Sequence, residues 1–168
     1  MVAPPTNRRI RKGDQVWLDG GCFSSDYVSD FCCAGTVGPP SDKQKKAQQM
    51  VWEITKSVGD AVRPGMRACD IDALNGKEWE KRGYNYNRDI NWGGGRIGHG
   101  LAWGGVVSEP PHIASYDETV IRPGMIITIE PGINFEYGTY CTETNCLVTE
   151  DGLEILNDFN RELRIIPV

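Results

Sequence analysis

The chain has 168 residues, 39% hydrophobic and 24% charged, with 18 basic against 23 acidic residues and a formal net charge of −5. That length supports one domain with a core of its own, and the acidic balance argues against a nucleic-acid partner held by charge alone. No apolar run approaches the ~20 residues of a membrane span, and the opening Met1-Val2-Ala3-Pro4-Pro5 lacks the order of a signal peptide.

Residues 1–13 read as a loop, with the cluster Arg8, Arg9, Arg11 and Lys12 as a solvated stretch before the first strand. Gln15–Gly20 reads as that strand and Tyr27–Cys33 as its return, with turn chemistry at Ser24-Ser25-Asp26. Ser41 followed by Gln44 predicts a capping box, and Ala47, Met50, Val51, Ile54 and Val58 then recur at helical spacing up to Arg63-Pro64-Gly65. A second helix is expected after Asp70, with Ile71, Leu74 and Trp79 on one face and its end at Gly83.

Residues 84–96 read as loop or short strand, Gly98-His99-Gly100 as irregular, and Pro110-Pro111 as another loop. Gly124–Ile133 and Thr139–Thr149 read as two strands joined through Glu136-Tyr137-Gly138, and Ile165-Ile166 as a last strand. Arg-Pro-Gly-Met occurs at 63–66 and again at 122–125, as turn punctuation and not as an internal repeat. Six cysteines (Cys22, Cys32, Cys33, Cys69, Cys141, Cys146) show no paired spacing, which favours reduced thiols and a cytoplasmic protein. Two histidines are too few for a zinc-finger pattern.

The chemistry lies in the acids of the two predicted hairpins. Residues opposed across an antiparallel hairpin have position numbers with a constant sum. Asp19 and Asp30 add to 49, and Glu130 and Glu143 add to 273, so each pair would face across a turn that composition already places. Opposed side chains lie about 4.5–5.5 Å apart at Cβ, and like charges there repel. Cations between them would relieve that repulsion. Carboxylates with one imidazole suit Mn²⁺, Fe²⁺, Co²⁺ or Zn²⁺, and shared carboxylates can bridge two metals about 3.5–4 Å apart.

Trp17-Leu18-Asp19-Gly20-Gly21, Ser29-Asp30-Phe31, Gly98-His99-Gly100, Thr128-Ile129-Glu130-Pro131-Gly132 and Thr142-Glu143 resemble, in order and spacing, the ligand motifs of the M24 metallopeptidase family. The intervals are 11, 69, 31 and 13 residues, and the short last one is closer to the prolidase side of that family than to methionine aminopeptidase. The resemblance implies an α+β chain forming the C-terminal part of a pita-bread fold, a curved antiparallel sheet with two main helices on its outer face. It implies that residues 1–168 are a single, N-terminally truncated catalytic domain, completed by an upstream half or by a second copy. It further implies two divalent metal ions held by Asp19, Asp30, His99, Glu130 and Glu143. In that scheme a metal-bound hydroxide attacks the peptide carbonyl, and Glu130 is both ligand and proton shuttle.

Three departures narrow this reading. Ser108 stands where the prolidase-like enzymes carry a second His before Glu-x-Pro; Ser108 and His112 are therefore the candidate substrate-binding residues. The segment from Gly-His-Gly to Glu-Pro-Pro is about two residues longer than in those enzymes, by the same comparison of motifs. Cys33 and Cys141 stand where the Xaa-Pro enzymes often have Arg, which removes fork-shaped donors for a carboxylate. The expected function is a metal-dependent hydrolase of the Xaa-Pro peptidase type acting on short peptides. The alternatives are an M24-like enzyme acting on a small non-peptide metabolite, similar to dimethylsulfoniopropionate lyase or creatinase, and a non-catalytic pita-bread binding module. Neither a membrane nor a nucleic acid is an expected partner.

Overall fold

A computed structural model of the protein describes residues 6–90, 92–101, 108–157 and 161–168. Its elements run β1 (Gln15–Gly20), β2 (Phe23–Ser24), β3 (Tyr27–Val28), β4 (Phe31–Val37), α1 (Asp42–Ala61), α2 (Ala68–Lys81) and α3 (Tyr86–Asp89). They continue with β5 (Arg96–Leu101), β6 (Glu109–Ala114), β7 (Ile126–Ile129), β8 (Gly132–Phe135), β9 (Gly138–Cys141), β10 (Thr144–Val148), β11 (Leu153–Ile155) and β12 (Arg164–Ile166). The strand order is β11-β10-β7-β5-β6 in one sheet and β1-β4-β12 in the other, with β2-β3 and β8-β9 as hairpins. Pairing is antiparallel throughout these strands except for β12, which joins β4 in parallel.

The two hairpins of interest are longer than any single strand. β1/β4 and β2/β3 share one register, in which Gln15 faces Thr36 and Ser24 faces Tyr27. The turn is Ser25-Asp26, both with positive φ (49° and 68°), a conformation that Asp tolerates and that fits the twist of a two-residue hairpin. The centre therefore lies one residue later than composition suggests, and the expected opposition of Asp19 and Asp30 is corrected: Asp19 faces Cys32. A shift of two in register keeps every side chain on its face, so Asp30, two residues before Cys32, stays on the side of Asp19. In the second hairpin Gly132 faces Cys141 on one side of the acids and Ile129 faces Thr144 on the other, the register that sets Glu130 against Glu143. The predicted long strands are each broken at the acid, between β7 and β8 and between β9 and β10.

Helix α1 follows its apolar spacing: Ala47, Val51, Ile54 and Val58 are buried, and the Gln44 side chain accepts from the Ser41 N–H at 2.9 Å. Helix α2 begins two residues before Asp70 because the segment before β7 supplies backbone acceptors, Thr119 O to Ala68 N (3.0 Å) and Asp117 O to Cys69 N (2.8 Å). Both Arg-Pro-Gly-Met copies are turns with glycine at positive φ, Gly65 at 91° and Gly124 at 89°. α1 packs on α2, β7 and β9, and α2 on β5 and β6. Ile127 and Ile129 of β7, with Cys146 and Val148 of β10, enter the core on the helix side. Period-two alternation sends Thr128, Glu130, Glu143 and Asn145 to the other face.

Three further expectations are overturned. Gly98-His99-Gly100 lies inside β5, and Pro110-Pro111 lies inside β6. The glycines disguise a central strand, while the prolines are tolerated because β6 is an edge. Within the segment read as loop, Tyr86–Asp89 forms a short helix capped by the Asn85 side chain, which accepts from Arg88 N at 3.0 Å. Residues 1–5, and the lengthened stretch 102–107 before Glu-Pro-Pro, lie outside the described residues.

Candidate metal centre

His99 is fixed by its own strand. A Cβ on Gly98 would lie 2.1 Å from Thr128 O, and one on Gly100 2.6 Å from Pro110 O. The backbones of β7 and β6 thus press on β5 from both sides, and only glycine fits beside the histidine. The imidazole is 2% exposed. Its Nδ1 lies 3.0 Å from Gly100 O, and in the tautomer with the proton on Nδ1 that atom donates and Nε2 is left as a ligand atom. Nε2 stands 3.5 Å from Asp30 Oδ2 and 3.3 Å from Glu130 Oε1.

Ligand atoms of Asp30, His99 and Glu143 all lie within 4.8 Å of one another, and all three residues are buried. Glu130 joins them through His99, and Thr128 Oγ1 links the two: it accepts from His99 N (3.1 Å) and faces Glu130 Oε1 at 3.5 Å. Asp19 is more exposed, and feels the charges of Asp30 and His99. The five candidate residues therefore converge: Asp19 near the end of β1, Asp30 just before β4, Glu130 just after β7, Glu143 just before β10, and His99 from within β5.

The electrostatics match the geometry. Burial pushes the Glu130 carboxyl up to about 7, with Asp30 and Asp19 adding to the shift against His99 and Arg96. Burial, then the charge of Glu130, pushes Glu143 up to about 10. Burial also raises Asp19, and Asp30 adds to it. Burial opposes the charged form of His99, but its hydrogen bonds to Asp30 and Gly100 and the charge of Glu130 together outweigh it and raise the imidazole. Carboxylates held so close and so dry resist ionisation, and a cation among them would reverse that resistance. The donor set of carboxylates and one imidazole fits divalent cations.

Asp19, Asp30, His99, Arg96 and Ser108 line a common cavity of about 490 Å³. Concavities of similar size lie elsewhere, one of them between α1 and the β10–β11 edge, but among the described residues their linings contain none of the four acids and not His99. Of the two candidate substrate-binding residues, Ser108 lines this cavity. His112 is opposite His99 on β6, but its ring lies against Tyr116, with 6.4 Å between centroids, and it is not among the lining residues.

Several supporting residues carry no motif. Trp92 donates from Nε1 to Glu130 O at 2.8 Å, and its ring covers Gly132, where a Cβ would come within 2.4 Å. Asn157 donates to Glu143 O at 3.2 Å. Arg96 donates to Ser108 Oγ at 2.6 Å. The only sequence signal for these is proximity to a motif. Cys32 and Cys141, both buried, bring their sulfurs to 3.1 Å, and Cys141 Sγ lies 3.7 Å from Glu130 O. Burial and the neighbouring Cys32 hold the Cys141 thiol protonated.

With this geometry in view, the profile of metallopeptidase family M24 matches residues 1–150. The chain belongs to metallopeptidase family M24. Among curated M24 relatives, an Xaa-Pro dipeptidase of Pyrococcus furiosus is 36% identical over 159 residues, covering 94% of this chain and 44% of the relative. The solved prolidase of Pyrococcus horikoshii superposes with a TM-score of 0.81 at 35% identity over 94% of this chain and 44% of its own. The dipeptidase PepE of Mycobacterium ulcerans does so at 0.83 and 30%, over 97% and 43%. The M24 chain described here thus spans less than half the length of these relatives. Their likeness bears out the expected α+β, pita-bread architecture with helices on one face of a curved sheet. Among the described residues no helix is long and apolar enough to cross a membrane.

Proposed function

We propose that this protein is a dinuclear-metal-dependent hydrolase of the Xaa-Pro peptidase type, acting on short peptides. The observation that carries the reading is the convergence of Asp30, His99 and Glu143 within 4.8 Å, with Glu130 3.3 Å from His99 Nε2. The names of the relatives, Xaa-Pro dipeptidase and prolidase, supply the substrate class. Asp19, Asp30, His99, Glu130 and Glu143 would hold two divalent ions, manganese, cobalt, iron or zinc. When bound, such ions acidify water and polarise a carbonyl.

The chain's own residues do the rest. Glu130 accepts the proton released as water adds to the scissile carbonyl and returns it to the departing amine nitrogen. Thr128 and Trp92 fix Glu130 from two sides, one at its side chain and one at its backbone. His99, locked through Nδ1 to Gly100 O, keeps Nε2 aimed at the acids. The free thiols of all six cysteines favour a reducing compartment, and we assign the protein to the cytoplasm.

The test is metal analysis of the purified protein together with hydrolysis of Xaa-Pro dipeptides. Bound transition metal, and activity that rises on adding Mn²⁺ or Co²⁺, are expected. Absence of both would sink the enzyme reading and favour a binding module. Glu130→Gln, assayed at saturating metal with its occupancy checked, is expected to lose about 10²–10⁴ in kcat, the usual size of acid–base catalysis.

A further inference from the structure

The cavity lined by Asp19 and Asp30 also holds a cation that has no acid paired to it among the described residues. Arg96 is half-buried at the start of β5, three residues before His99, on the cavity wall beside Asp19 and Asp30. Its Nη1 donates to Ser108 Oγ at 2.6 Å, and among the described residues it has no carboxylate within 4.0 Å. A guanidinium carries five N–H donors in a planar fork, and a neutral hydroxyl occupies only part of it. Its charge nonetheless reaches the centre, since it acts on both His99 and Glu130.

A cation drawn partly out of water is favoured by a matching anion. The four carboxylates of the centre would supply that anion if they stood alone. Their charge is spent on divalent cations in the proposed function, on which this argument rests. The guanidinium is then an unbalanced positive charge on the wall of the substrate cavity. Cys33 and Cys141, the thiols in the same hairpins, offer no cation.

We infer that Arg96, oriented by Ser108, is the binding residue for a substrate carboxylate, and so selects small acids with a free carboxylate over their neutral counterparts. That carboxylate is either the C-terminus of a dipeptide or the acid group of a small non-peptide metabolite. Ser108 is a positioning residue in this arrangement: its hydroxyl accepts one N–H and turns the rest of the fork to the cavity.

The test compares metal-loaded native protein with Arg96→Met, Arg96→Lys and Ser108→Ala, using Ala-Pro and its C-terminal amide as substrates. A charge-assisted hydrogen bond gives a preference of about 10- to 100-fold in kcat/KM for Ala-Pro over the amide. That ratio is expected to fall toward one in Arg96→Met and partway in Arg96→Lys, which keeps the charge without the fork. Ser108→Ala raises KM with little change in kcat, and Ser108→Thr restores it. Calorimetry with proline, prolinamide and butyrate provides a readout without turnover: Arg96→Met weakens proline or butyrate and not prolinamide. Equal losses on both substrates, or an unchanged ratio, would overturn the inference. If the native protein cleaves acid and amide equally, the peptidase reading stands and this inference falls. If it cleaves neither, yet binds butyrate through Arg96, the inference stands on a small-acid substrate and the peptidase reading falls.

Discussion

Gly98 and Gly100 show how little freedom the residues around His99 have. A methyl group on either would meet a backbone carbonyl, at 2.1 Å and 2.6 Å, with no flexible side chain to give way. Gly98→Ala is therefore expected to cost about 1–3 kcal/mol or more by overpacking, and to spread β5 from β7 so that His99 leaves the acids. Thermal unfolding and metal content, measured together, should both fall. A variant that keeps its metal while losing only stability would show that the imidazole tolerates the shift. Thr128 is a gentler probe. Its hydroxyl touches His99 N and faces Glu130 Oε1, so Thr128→Val, nearly the same in shape, removes both contacts and should lower kcat more than it lowers the unfolding temperature.

Two hairpins, each carrying acids of the centre, have to meet edge to edge, and beside the Cys32–Cys141 contact the Gln15 side chain links them. Gln15 of β1 donates from Nε2 to Thr139 O at 2.6 Å and accepts from Thr139 N at 3.2 Å, copying with a side chain the pairing of a strand. Gln15→Ala should cost about 1–2 kcal/mol for two hydrogen bonds. Because Asp19 and Asp30 lie on one hairpin and Glu130 and Glu143 on the other, the same change should weaken metal binding. Titration of the stripped protein with Mn²⁺ checks this: unchanged affinity would mean the hairpins keep their spacing without Gln15. The breaks after β7 and β9 fall at Glu130-Pro131 and Thr142-Glu143. Periodicity sees an unbroken run of apolar alternation there, and it cannot show that the chain leaves the ladder to turn an acid inward.

For the molecule as a whole, the buried acids make stability depend on pH and on metal. In the metal-free protein Glu130 holds its proton to about 7 and Glu143 to about 10, while both ionise near 4.3 once unfolded. Between those values the native state binds more protons than the unfolded state, so the free energy of unfolding falls as pH rises. His99, raised as well, acts in the same direction. The melting temperature of the stripped protein is expected to fall from pH 5 to pH 8. Divalent metal should raise it most at pH 8, because the ligands must be ionised to bind. A melting temperature of the stripped protein that climbs over that range would contradict the burial of these carboxylates.

Helix α1 and the register of the second hairpin were legible in the sequence alone, because spacing, capping and turn chemistry are local and each acts within a few residues of the chain, while the five candidate residues of the centre were named through the resemblance of their motifs. The first hairpin was misplaced by one residue at its turn, since Ser24, Ser25 and Asp26 are all good turn residues and only the twist of the paired strands selects Ser25-Asp26. The side of the sheet still came out right, as a register shift of two preserves it. Tertiary structure alone decided that Gly98-His99-Gly100 is a central strand, because glycine signals irregularity locally while here it answers to two neighbouring backbones. It also decided which residues surround the acids. Trp92, Asn157 and Arg96 reach the centre from 38, 14 and 12 positions away from the partners they bond, and contacts at that range leave no periodic trace in a sequence.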